Sequence, residues 1–251
     1  MKAMILAAGQ GTRLRPLTDV MPKALVPVAG RPMIEYALLL LRRYGIRDIV
    51  INLHHFGAQI ENHLGDGRRF EVKISYSHES ELLDTGGGLL KAKGFLQDDS
   101  FIVINTDALI DVDLAAVLDG HRKNHAAATL VLRPDADADH YGSIDIDTDG
   151  RICRFLDHHA PIKPTGAARK LMFTGVQIVE PRIFDFMDGG GLKKFSTTRE
   201  TYPRMLGAAE RLFGYHFTGF WQDLGTRERI DAAEIKLKSG AAKLHFLLPP
   251  G

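Results

Sequence analysis

Three features of the 251-residue sequence predict an α/β fold: a mixed, mostly parallel, Rossmann-like sheet flanked by helices, with a small β-hairpin subregion. The chain opens on a short apolar run, Lys2 to Leu6, that breaks at once into a glycine-containing turn, as an interior parallel strand does. Strand-like runs then alternate with helical stretches through the first half, the pattern of a parallel sheet whose ligands collect at the carboxyl ends of its strands. In the second half two short alternating runs are joined through Asp149-Gly150, a strong hairpin signal.

Taken in order, residues 2–6 form the first strand, and a helix follows over 33–44, with Pro32 suited to its first turn and Gly45 to its end. Strands are predicted over 48–53, 72–76, 101–104 and 129–132, interleaved with helices near 58–64, 89–94 and 114–124. Residues 143–147 and 151–156 are the arms of the hairpin, strands come near 172–179 and 212–217, and a last helix runs from 227 to about 238. Residues 1–239 read as a single domain and 240–251 as a tail of no assigned structure.

Composition narrows the function. The 32 basic and 31 acidic residues leave a formal charge of +1, so no overall field attracts nucleic acid or an anionic membrane, and any polyanion must be bound locally. The single cysteine, Cys153, excludes an internal disulfide and a zinc site built from several thiolates; it reads as a free, partly buried thiol in a reducing compartment. The apolar run before Gly9 is far too short for a signal peptide core or a spanning helix, so a cytoplasmic protein is expected, with homo-oligomerisation left open.

Leu6-Ala7-Ala8-Gly9-Gln10-Gly11-Thr12-Arg13-Leu14 places two glycines directly after the first strand, where backbone N–H groups turn toward a phosphate without Cβ obstruction. Leu14 stands where the dinucleotide fingerprint needs its third glycine, and no Gly-Lys-Ser/Thr follows as in a P-loop. Arg13 and Lys23 follow at a spacing that lets one loop fold both cations over one anion, and Pro16, Pro22 and Pro27 stiffen it. Taken alone, the same residues equally suit a turn with solvated charges.

Residues 6–28, with glycine loop, Thr-Arg, Pro-x-Thr and then Pro-Lys before a short strand, resemble the signature of the sugar-1-phosphate nucleotidyltransferase family. The similarity runs from Lys2 to about Glu234. It implies that Leu6, Ala8, Gly9, Gly11, Thr12 and Arg13 hold a nucleoside triphosphate, with Arg13 on the β- and γ-phosphates, and that Lys23 contacts the reacting phosphates. Arg13, Lys23 and Asp107 are the implied catalytic residues.

Asp107 ends Asn105-Thr106-Asp107, at the carboxyl end of a predicted parallel strand. Hard oxygen ligands in small number suit Mg²⁺, which keeps waters and bridges to substrate phosphates. The family usually has glycine where Thr106 stands. Trp221-Gln222-Asp223-Leu224-Gly225-Thr226 resembles the family's second metal motif, which makes Asp223 the other carboxylate; by residue type alone, Asp223 or Thr226 equally suits a helix cap.

Asp84-Thr85-Gly86-Gly87-Gly88 resembles the segment with which the family reads its base, so Gly87 and Gly88, with Asn105, complete the nucleotide set; a mobile glycine loop is the plainer alternative. Tyr141-Gly142 and Thr174-Gly175 match sugar-contact positions, which makes the hairpin a sugar-binding subregion. Phe155-Leu156-Asp157-His158-His159 stands in place of the family's acid-lysine-proline, leaving Asp157 as the acidic sugar contact.

The resemblance implies Mg²⁺-dependent attack of a sugar 1-phosphate on the α-phosphorus of the triphosphate, with pyrophosphate released. Within the family the chain is most similar to uridylyltransferases for N-acetylmuramate 1-phosphate, with guanylyltransferases for mannose or heptose 1-phosphate close behind. Two rivals are a non-catalytic nucleotide-sugar sensor and transfer to a non-sugar phosphate such as phosphocholine. Retention of Arg13, Lys23, Asp107 and Asp223 argues against the first, and a single tryptophan against the second.

Overall fold

The computed structural model describes residues 1–135, 142–187 and 193–248. Its strands are β1 (Lys2–Leu6), β2 (Pro27–Val28), β3 (Arg31–Pro32), β4 (Asp48–Leu53), β5 (Lys73–His78), β6 (Phe101–Asn105), β7 (Ala108–Ile110), β8 (Ala128–Arg133), β9 (Ser143–Ile146), β10 (Ile152–Phe155), β11 (His158–His159), β12 (Arg169–Val179), β13 (Leu212–His216) and β14 (Trp221–Asp223). The helices are α1 (Met33–Arg43), α2 (Gly57–Leu64), α3 (Asp84–Lys91), α4 (Lys93–Leu96), α5 (Leu114–Lys123), α6 (Tyr202–Gly207) and α7 (Arg227–Lys238). Two compact units result: Met1–Leu82 with Ile104–Val112 and Gly219–Gly251, and Leu83–Val103 with Asp113–Thr218. The fold is the expected mixed α/β type, with its parallel strands concentrated in the first unit. No helix among the described residues is long and apolar enough to cross a membrane.

In the first unit the strand order is β1-β4-β5, with both pairs parallel. Ala3, Met4 and Ile5 of β1 are fully buried, as a strand covered on both faces requires. Helix α1 is buried from Met33 to Leu41, and apolar side chains around most of its circumference make it an interior helix. It ends where expected, because Gly45 takes a φ of +74° and the N–H groups of Gly45 and Ile46 donate to Arg42 and Leu41 carbonyls, both at 3.0 Å.

Two features of this unit have little sequence signal. Strands β7 and β14 form an antiparallel ribbon in the register Trp221↔Ile110 and Asp223↔Ala108. The segment after α7 folds back instead of trailing: Ala242, Leu244 and Phe246 are buried, and Phe246 packs near Tyr36, Leu40, Ala108 and Ile110. His245 donates its backbone N–H to Asp111 at 2.9 Å and pairs with the same carboxylate through its ring.

The second unit holds β11-β10-β9-β12, with β8 on β12 and β13 on β8. The β13–β8 pair is parallel, whereas β10–β11, β9–β10, β8–β12 and β9–β12 are antiparallel. The predicted hairpin is β9–β10, held by a buried Asp147 carboxylate that accepts from the N–H groups of Asp149, Arg151 and Thr165 at 2.9–3.1 Å. His158 and His159 form an exposed edge strand on β10, beyond the predicted hairpin arm. Cys153 is free and half-buried, and burial, then the carboxylates of Asp145 and Asp147, push its thiol pKa up, which keeps it protonated and weakly reactive.

The expected 89–94 helix is two helices, α3 and α4, and the glycine run lies inside the first of them. Three successive glycines disfavour a helix by about 1 kcal/mol each relative to alanine, so packing must override propensity. It does: a Cβ on Gly86 would sit 2.3 Å from the Phe195 ring, and one on Gly87 2.3 Å from the Lys193 carbonyl oxygen. The helix is glycine-rich because residues 193–195 lie against its backbone.

Candidate active site

The loop after β1 is fixed from below. Asn52, at the end of β4, accepts from the Ala7 N–H at 2.9 Å and donates to the buried Glu79 carboxylate at 2.7 Å. Ala7 and Ala8 are buried, and the chain emerges at exposed Gly9. Gly11 adopts φ +65°, its carbonyl accepting from the Thr18 hydroxyl at 2.8 Å and the Leu14 N–H at 2.8 Å. A Cβ on Gly11 would meet Thr18 Cγ2 at 2.8 Å and Lys23 Cβ at 2.9 Å, so the absent side chain lets the Lys23 stem close over the loop. Thr12 and Arg13 sit in a short 3₁₀ turn and are exposed, with Leu6 half-buried at the strand end.

The two aspartates come together through the β7–β14 ribbon. Asp107 precedes β7, Asp223 closes β14, and the Leu224 N–H donates to the Asp107 carbonyl at 2.8 Å. Lys23 Nζ lies 2.8 Å from Asp107 Oδ2, with its side chain only 12% exposed. Asp223 Oδ1 accepts the Gly225 N–H at 2.6 Å, and Oδ2 pairs with Arg229. Thr226, not Asp223, caps α7, accepting from the Arg229 N–H at 3.4 Å. Arg13 belongs to the same cluster: a Cβ on Gly225 would stand 2.5 Å from Arg13 Nη2 and 2.8 Å from Asp223 Oδ1. Asn105 ends β6, half-buried, and the hydroxyl of Thr106 donates to the Leu6 carbonyl at 2.9 Å.

This donor set fits Mg²⁺. Two hard carboxylates, one just before β7 and one at the end of the paired β14, with no third His, Cys, Asp or Glu clustered with them among the described residues, match an ion that keeps waters and shares its shell with phosphate oxygens. Asp107, 37% exposed, and Asp223, 12% exposed, would hold it.

The second unit carries the other candidate positions. Gly87 and Gly88 are buried in α3, with the Gly87 N–H directed at the Phe195 carbonyl at 3.4 Å. Gly142 has φ +92°, and a Cβ there would strike Leu156 Cδ2 at 2.5 Å. Asp157 is exposed in the turn between β10 and β11. Thr174 is buried, its hydroxyl donating to the Val131 carbonyl at 2.8 Å, and Gly175 takes φ +92° where the β12–β8 register shifts. Tyr141 and residues 189–192 lie outside the described residues.

Asn52, Thr18, Gly225 and Arg229 escaped the sequence reading as site residues. Thr18 and Gly225 had a signal, as the threonine of Pro-x-Thr and as part of the second aspartate motif; Asn52 acts from a strand end 45 residues away from Ala7.

Residues 2–239 match the Nucleotidyl transferase family, and the chain belongs to it. It is 34% identical to a UTP–glucose-1-phosphate uridylyltransferase of Synechocystis sp., over 90% of this chain and 60% of that one. It is 32% identical to a mannose-1-phosphate guanylyltransferase of Mycobacterium tuberculosis, over 96% of this chain and 65% of that one. The chain thus spans less than two thirds of the length of these two relatives. With an N-acetylmuramate alpha-1-phosphate uridylyltransferase of Neisseria meningitidis it shares 36% identity over 93% of this chain and 97% of that one. The crystal structure of a putative glucose-1-phosphate thymidylyltransferase from Bacillus anthracis has the same fold, with a TM-score of 0.79 at 23% identity, covering 100% of this chain and 97% of that one.

Proposed function

We propose that the chain catalyses Mg²⁺-dependent transfer of a nucleoside monophosphate from a triphosphate to a sugar 1-phosphate. The observation that carries this reading is the cluster of Asp107, Asp223, Lys23 and Arg13 on the glycine loop and the β7–β14 ribbon. A phosphate oxygen of the sugar 1-phosphate attacks the α-phosphorus, the new P–O bond forms as the bond to the β-phosphate oxygen breaks, and pyrophosphate leaves with the electron pair. No protein nucleophile is required, and a phosphate oxygen ionised near neutral pH needs little help from a base. The N–H groups of the Gly9–Thr12 loop cradle phosphate oxygens, Arg13 clamps the departing β- and γ-phosphates, and Lys23 follows the charge at the reacting phosphate. When bound, Mg²⁺ supplies neutralisation and orientation of the phosphate oxygens. The reaction is assigned to the cytoplasm, where its nucleotide substrate is held.

The favoured pair is UTP with N-acetylmuramate 1-phosphate, supported by the Neisseria relative that the chain covers almost end to end. GTP with mannose 1-phosphate is the alternative, supported by the mycobacterial relative. The test is a pyrophosphate-release and mass-spectrometry screen of UTP, GTP, CTP, ATP and dTTP against a panel of sugar 1-phosphates with Mg²⁺. UDP-N-acetylmuramate is the expected product. GDP-mannose would transfer the assignment to the alternative, and nucleotide binding without any product would favour a sensor.

Gly225→Ala offers a sharper check on the site. Gly225 is not among the positive-φ glycines, so its backbone admits alanine, but the new methyl group overlaps Arg13 and Asp223 Oδ1. Displacing the Arg13 guanidinium by about 1 Å is expected to lower kcat by up to about 100-fold with little change in Tm. Steady-state kinetics beside a thermal melt decide it, and unchanged kcat would separate Arg13 from the chemistry.

A further inference from the structure

We propose that Arg229, together with Lys23, stands in for the divalent cation, so that the metal enters with the triphosphate and not ahead of it. The inference rests on the reading of Asp107 and Asp223 as metal ligands. Arg229 pairs with Asp223 and Lys23 with Asp107, and Arg13 lies beside Gly225 in the same cluster. Two carboxylates against three cations leave the cluster at +1, which repels a bare divalent ion. A triphosphate reverses the sign, offers Lys23 and Arg13 a better anion, and leaves Asp107 and Asp223 to the metal it carries.

The position of Arg229 in its helix points the same way. Thr226 caps α7, so Arg229 occupies the third helical position, in the first turn. There the helix dipole disfavours a cation, and after a threonine cap the favoured residue is Glu or Gln, which reaches back to the cap N–H. Arg229 therefore opposes its own helix, and its pairing with Asp223 offsets that cost. Asp223 in turn has both oxygens engaged, Oδ1 by the Gly225 N–H and Oδ2 by Arg229, and a metal must take one of them. Arg229 is thus a positioning residue that acts through Asp223 and sets the order of binding.

The test measures protein-bound Mn²⁺ by electron paramagnetic resonance in the full chain, with and without a non-hydrolysable UTP analogue, for wild type, Arg229→Gln and Arg229→Lys. Without nucleotide, the wild type and Arg229→Lys should bind Mn²⁺ weakly, and Arg229→Gln about tenfold more tightly, since one positive charge is gone. If Arg229→Gln does not fold, Lys23→Met should tighten nucleotide-free Mn²⁺ in the same sense. Equal affinity in wild type and Arg229→Gln, or weaker binding in the variant, overturns the proposal. Failure of the underlying metal reading looks different: Asp107→Asn and Asp223→Asn would then leave Mn²⁺ in the nucleotide complex unchanged.

Discussion

Lys23→Met is expected to lower kcat by about 10²- to 10³-fold, the range for removing one preorganised charge from a developing transition state. The side chain is well placed for that role: Gly11 leaves room for its stem, it is 12% exposed, and its ammonium rests 2.8 Å from Asp107. Methionine fills nearly the same volume, and Asp107, 37% exposed, remains solvated when its partner is lost, so Tm should fall little. The division between kcat and KM carries the interpretation. If Lys23 acts on charge that grows as pyrophosphate departs, kcat falls and the KM for the triphosphate moves less. A rise in KM at unchanged kcat would make Lys23 a ground-state phosphate ligand only. Lys23→Arg should recover part of the rate, because charge survives while the shape changes.

How much of this was legible in the sequence depends on where each signal sits. Strand β1 and helix α1 are legible because their apolar residues are contiguous, and α7 occupies the predicted 227–238, with Thr226, one of the two cap residues the sequence offers, as its cap. The two aspartates that the ribbon brings together each lie in a short linear motif. Their counter-charges were not equally legible. Lys23 was assigned to phosphate and is found on Asp107, and Arg229 has no motif of its own. The β7–β14 ribbon was missed for a physical reason: three residues carry no usable periodicity, and the ribbon exists only through pairing across about a hundred residues of chain. Gly86 to Gly88 misled in the opposite direction, since their composition says loop while contact with residues 193–195 makes them helical. The antiparallel character of the second unit and the packed segment around Phe246 likewise follow from long-range contacts that local pattern does not encode.

Asp107→Asn and Asp223→Asn should each reduce kcat by about 10³-fold or more, equivalent to about 4 kcal/mol of lost charge stabilisation at the phosphates. The fold should survive both. The ribbon depends on backbone pairing, with the Leu224 N–H on the Asp107 carbonyl, and an asparagine at 223 retains an oxygen for the Gly225 N–H. The variants differ in the ion pair they remove: Asp107→Asn breaks the pair with Lys23 and Asp223→Asn the pair with Arg229, while a neutral amide binds a hard cation poorly. If both aspartates hold one ion, the double variant should be little worse than the poorer single one, because residues acting as a unit are not additive. Turnover at saturating Mg²⁺, set beside thermal melts, decides it. Near-normal turnover in both single variants would remove the metal role, and independent, multiplying losses would mean that the two carboxylates serve different ends.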